Sequence, residues 1–80
     1  MITRIVLPRL GDTVDEVVII EWLVTTGQRV EIGTPLIRVE TDKVEVDIES
    51  THTGIVHELF VIEGNEVMTG SALCAIDVVQ

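Results

Sequence analysis

Eighty residues and 8.8 kDa confine the chain to one small domain with little room for a deep cleft between lobes, which disfavours a complete enzyme. The formal charge of −9, from fourteen acidic residues against Arg4, Arg9, Arg29, Arg38 and Lys43, argues against a nucleic-acid or anionic-membrane partner, either of which would need Lys and Arg to displace counterions. A hydrophobic fraction of 46% places the chain in the globular class, and with no basic groove to accompany them Trp22 and Phe60 read as packing residues rather than stacking platforms.

In chain order, the first segment from Met1 to Arg9 lacks the basic stretch followed by a long apolar region that marks a secretory signal, so an intracellular location is expected, cytoplasmic or mitochondrial. Thr13-Val14-Asp15-Glu16 resembles a helix capping box. A helix from Val14 would put Glu21 on its buried stripe, however, and Val17 to Ile20 is a solid β-branched block, so this segment is expected to be a strand. Val, Ile and Thr supply 33 residues and Ala only two, which points to an all-β fold. Leu36 to Thr41 reads as a strand with Arg38 and Glu40 facing away from Ile37 and Val39. Val44 to Glu49 alternates strictly, aliphatic on one face and acidic on the other, as a half-buried strand does. Asp42-Lys43 is then the turn of a hairpin. The apolar runs, such as Val17 to Ile20 and Leu59 to Ile62, fall far short of the roughly 20 residues of a membrane-spanning helix. Cys74, with no second thiol, reads as a small buried hydrophobe. His52 and His57 stand five apart with no further ligand at zinc-site spacing.

Residues 18–40 align with 55–77 at an offset of 37 without gaps, and six of the 23 positions are identical: Glu21/Glu58, Val24/Val61, Gly27/Gly64, Val30/Val67, Gly33/Gly70 and Leu36/Leu73. Each half is too small to bury its own apolar face. The expected architecture is therefore a sandwich or flattened barrel with a pseudo-two-fold axis, the hairpin of Lys43 at one end and the termini together at the other. Matching Leu7 to Ile48 needs an offset of 41, which would give the first half about four extra loop residues.

Lys43 is the only lysine, and it lies between the two repeats at a tip held by two strands. A lysine side chain is long, flexible and nucleophilic once deprotonated, which suits it to anchor a carboxylic-acid prosthetic group as an amide. Glu40-Thr41-Asp42-Lys43, followed by Val44, resembles the lipoylation motif of the lipoyl domains of 2-oxo acid dehydrogenase complexes. Leu7-Pro8-Arg9-Leu10-Gly11 with Glu16, Trp22, Gly27, Val30, Gly33 and Leu36 is similar to the pattern on the N-terminal side of that motif, and Gly54, Gly64 and Gly70 match the pattern on its C-terminal side. Val44 stands where many members have Ala, Gln28 where Asp is common and Val17 where Gly is common. None of these removes the attachment motif.

The resemblance implies a flattened barrel of two four-stranded antiparallel sheets over residues 1–80, as the N-terminal domain of a longer acyltransferase chain, monomeric when isolated and not catalytic by itself. It implies a swinging arm: lipoate on Lys43 is acylated by a thiamine-dependent decarboxylase, delivers the acyl group at an acyltransferase core and is reoxidised by dihydrolipoyl dehydrogenase, having been attached by a lipoate ligase or lipoyl transferase. The loop Arg9, Leu10, Gly11, Asp12, Thr13, Val14 and Asp15 is the candidate partner-recognition element beside Glu40, Asp42 and Glu45. The rival readings are a biotin carrier domain, whose lysine usually stands between two methionines, and an unmodified interaction module.

Overall fold

The computed structural model describes residues 1–9, 16–41 and 44–79. They form eight strands: β1 (Ile2–Val6), β2 (Glu16–Trp22), β3 (Arg29–Val30), β4 (Pro35–Thr41), β5 (Val44–Glu49), β6 (Gly54–Leu59), β7 (Glu66–Met68) and β8 (Ala72–Val78). Two four-stranded antiparallel sheets result, ordered β1-β8-β6-β3 and β5-β4-β2-β7, as the family resemblance implies; the all-β class and the two-fold arrangement are what the composition and repeat predict. Val17 to Ile20 lies within β2, so the strand reading holds there. Of the capping-box residues only Glu16 is described, and it opens that strand.

The repeat is structural throughout. Val18, Ile19, Glu21 and Trp22 of β2 pair with Glu40, Val39, Arg38 and Ile37 of β4; their counterparts 37 residues on, Ile55, Val56, Glu58 and Leu59 of β6, pair with Asp77, Ile76, Ala75 and Cys74 of β8. Even the irregularity recurs, between Ile19 and Glu21 and again between Val56 and Glu58. The halves also exchange their short strands, since β3 of the first pairs with β6 of the second and β7 of the second pairs with β2 of the first. Neither half can therefore complete its own sheet.

The turns explain the paired glycines. In Thr25–Gln28, Glu31–Thr34, Ile62–Asn65 and Met68–Ser71 the amide of the fourth residue donates to the carbonyl of the first, at 3.0–3.1 Å. The third residue is a glycine with φ of 90–93°, the conformation that position of a type II turn requires and a side chain resists.

The hydrogen bonds also correct the expected loop length. Leu7 N donates to Ser71 O as Ser50 N donates to Thr34 O, and Leu7 O accepts from Gly70 N as Ser50 O accepts from Gly33 N. Leu7 is thus the counterpart of Ser50, an offset of 43 rather than 41, and the first half carries six extra residues before β2 rather than about four.

The core is aliphatic: Ile5, Leu7, Val17, Ile19, Val24, Val30, Leu36, Ile37, Val39, Ile48, Val56, Leu73 and Ile76 are buried together with Cys74. Trp22 packs against this cluster and its indole N–H donates to Val61 O at 2.8 Å, which satisfies the ring's one polar group. Phe60 departs from the packing role expected of it, being 40% exposed with the Arg4 guanidinium 5.9 Å from its ring centroid.

Cys74 is fully buried, as expected, and desolvation pushes its thiol up from about 9.0 to about 11. The folded state therefore holds this proton more tightly than the unfolded chain does. Its contribution is intact below about pH 9 and is lost as pH rises toward 11, by up to about 1.4 kcal/mol per pH unit. Urea unfolding at about pH 8 and about pH 10.5 is expected to show this fall in the parent chain, and Cys74→Ala is expected to lack that share of it.

Candidate functional site

β4 and β5 pair without a break from Ile37↔Ile48 to Thr41↔Val44. Asp42 and Lys43, the two residues between Thr41 and Val44 in the chain, lie outside the described residues, as do Leu10, Gly11, Asp12, Thr13, Val14 and Asp15. Of the candidate residues that are described, Glu40 is exposed, Thr41 is half-buried, Val44 is 57% exposed and Arg9 is exposed. The expected aliphatic face of β5 is thus graded. Ile48 is in the core at 6% exposure, Val46 is partly buried, and Val44, nearest the Thr41↔Val44 closure, is exposed.

The topology places this hairpin and the termini at opposite ends. Glu16, at the hairpin end of its sheet, pairs with Met68, and the short turn after Met68 enters β8 at Ala72, the end of that strand away from Val78. Val78 N donates to Met1 O at 2.7 Å and the Met1 ammonium lies 3.2 Å from Asp77 Oδ1, so the chain ends meet. The connection from Arg9 to Glu16 arrives where β2 starts, two residues before Val18 pairs with Glu40. The start of β2 therefore lies at the end of its sheet where Thr41 pairs with Val44.

The outer face of this sheet is acidic, and Arg38 lies at its centre. Arg38 Nε donates to Asp47 Oδ1 at 2.9 Å and stands 4.0 Å from Glu45 Oε1, while one terminal guanidinium nitrogen lies 3.8 Å from Glu21 Oε1. The hydrogen bond to Asp47, with that residue's charge, raises the guanidinium pKa above its ordinary value. In solvent such pairs contribute little energy, so their value is geometric: one side chain ties β2, β4 and β5 together beneath the hairpin. Sequence reasoning places Arg38 on the outer face and misses this role. The signal is available, because a turn at Asp42-Lys43 sets Arg38 directly opposite Asp47.

Two interlocked β halves around one aliphatic core, with β4 and β5 joined as a tight hairpin, define a small all-β domain with an internal two-fold repeat. The family model described as "Biotin-requiring enzyme", that of biotinyl and lipoyl domains, matches residues 3–76, and the chain belongs to this family. It is 37% identical over 76 residues to the lipoamide acyltransferase component of the branched-chain alpha-keto acid dehydrogenase complex of Bacillus subtilis, covering 95% of this chain and 18% of that protein. It is 36% identical over 70 residues to the succinyltransferase component of the 2-oxoglutarate dehydrogenase complex of Staphylococcus saprophyticus, covering 88% and 16%. The chain thus spans less than a fifth of the length of these relatives. In three dimensions it shares the fold of the lipoyl domain of the 2-oxoglutarate dehydrogenase complex from Azotobacter vinelandii, with a TM-score of 0.73 over 91% of this chain and 92% of that one at 23% identity. The resemblance carried by the motif around Lys43 is upheld: these relatives are acyltransferase components of 2-oxo acid dehydrogenase complexes.

Proposed function

We propose that the chain is a swinging-arm carrier in which lipoate is joined by an amide bond to Lys43. The observation that carries this reading is the unbroken β4–β5 register, which closes at Thr41↔Val44 around the chain's only lysine. Paired arms fix the backbone on both sides of the tip, and the exposure of Glu40 and Val44 leaves room for a modifying enzyme to approach. Once deprotonated, the Lys43 amine displaces the leaving group of an activated lipoate. The formal charge then falls from −9 to −10 as the ammonium is lost.

When bound, lipoate supplies the redox and acyl-transfer chemistry, and the protein contributes presentation and recognition. Tethering to a mobile domain raises the arm's effective concentration at each active site it visits. In this reading the chain is a segment of a longer acyltransferase chain, and its partners are a thiamine-dependent decarboxylase, the acyltransferase core, dihydrolipoyl dehydrogenase and the lipoate-attaching enzyme. Glu40, Thr41, Asp42 and Val44 form the modification motif, and the loop from Arg9 to Asp15 distinguishes the domain to its decarboxylase.

Intact mass tests the assignment. Incubation with a lipoate ligase, lipoate and ATP is expected to add one lipoyl increment and no second one. A biotinyl increment with biotin ligase would favour a biotin carrier, and no increment with either enzyme would favour an unmodified interaction module.

A further inference from the structure

β5 is the outer strand of its sheet, so one row of its backbone donors and acceptors faces away from β4. Beside it runs an open groove of about 460 Å³ whose lining includes Pro8, Ile32, Val46 and Ile48 together with Asp47 and Glu49. A smaller groove of about 250 Å³ shares Pro8, Ile48, Glu49 and Thr51 and continues to Arg4 on β1. Ile32 occupies the second position of the Glu31–Thr34 turn and is 72% exposed, an aliphatic side chain held in water by a turn whose hydrogen bond does not need it.

Glu45, Asp47 and Glu49 project from β5 at two-residue intervals, about 6.6 Å apart. The fold does not impose this row. Their pseudo-two-fold counterparts on β1, paired to β8 as β5 is to β4, are Ile2, Arg4 and Val6. Arg38 engages Asp47 closely and Glu45 at the limit of an ion pair, whereas the Glu49 carboxylate has no ion-pair partner among the described residues. A second copy of this chain pairing edge to edge through β5 would set carboxylates against carboxylates, an unfavourable match for self-association through this edge.

We propose that the β5 edge and its groove bind an extended basic segment of a partner protein. The segment adds a strand to β5, with Lys or Arg side chains against Glu45, Asp47 and Glu49 and an aliphatic side chain in the groove between Pro8, Ile32 and Val46. Strand geometry fits both demands, because alternate side chains of one extended segment point to opposite sides. The site does not require Lys43 to be modified, so its test is separate from that of the lipoyl assignment.

The test is a titration of the ¹⁵N-labelled, unmodified chain with a blocked heptapeptide of alternating lysine and valine, followed by amide chemical shifts. Saturable shifts are expected at Val44 to Thr51 and at Ile32 and Gly33, weakening as salt is raised. Ile32→Ser and the double variant Glu45→Gln/Glu49→Gln are each expected to weaken binding about tenfold, close to 1.4 kcal/mol. Absence of saturable shifts, equal shifts with a peptide carrying glutamate for lysine, a shift map centred on β7, or indifference to Ile32→Ser would overturn the proposal.

Discussion

Replacing Lys43 by arginine is expected to abolish modification outright and to leave the unfolding curve on that of the parent chain. Arginine keeps the positive charge at the tip, but its guanidinium stays protonated at any pH the protein survives and has no free amine to acylate. No other side chain can substitute, because the sequence holds no second lysine. The remaining amine is that of Met1, which pairs with Asp77 at the opposite end of the molecule. Intact mass after incubation with lipoate ligase is thus expected to stay at the unmodified value in Lys43→Arg under conditions that convert the parent fully. A residual lipoyl increment in that variant would remove Lys43 from its role.

The second large effect is expected at Gly54, far from the tip. A Cβ built on Gly54 collides with the Asp77 carbonyl oxygen and comes within 2.9 Å of both the Asp77 carbonyl carbon and Ile76 Cγ2. These are chiefly backbone atoms of the β6–β8 ladder, where Gly54 pairs with Val78, so no flexible side chain can swing away. Moving β8 aside would disturb the bonds from Val79 N to Thr53 O and from Val78 N to Met1 O. Gly54→Ala is therefore expected to cost about 3 kcal/mol. That is a large share of the ~4–12 kcal/mol available to a chain of this size. Urea denaturation monitored through Trp22 measures the loss, and a change below about 0.5 kcal/mol would mean the two strands separate more easily than their pairing implies. Val17, the counterpart of Gly54 in the first half, accommodates its side chain in the core at 2% exposure, so the close approach belongs to one half only.

Much of this architecture is legible in particular residues. Val44 to Glu49 shows its two faces by alternation, and with the strand Leu36 to Thr41 before it predicts a hairpin, which the Thr41↔Val44 pairing bears out. The repeat is legible because its glycines at 27, 33, 64 and 70 serve a backbone conformation rather than a side-chain contact, and such positions tolerate little drift. The length of the first-half loop is not, because apolarity matches Leu7 to Ile48. Its true counterpart, Ser50, is buried and satisfies its own hydroxyl, which donates to His52 O at 2.6 Å and accepts from His52 N at 3.2 Å. Hydropathy does not mark a serine as core. The exchanged strands β3 and β7 are also invisible, since two or three residues are too few to show a period. At the site, the hairpin and its motif are readable, while the tie made by Arg38 emerges only when β2, β4 and β5 are set side by side.

The meeting of Met1 with Val78 has a mechanical consequence. β1 and β8 run antiparallel with their free ends together, so tension applied through the two termini peels their hydrogen bonds one after another instead of loading them all at once. A domain moored at that end yields first along its β1–β8 edge. The Thr41–Val44 hairpin belongs to the other sheet and is not on that line of force.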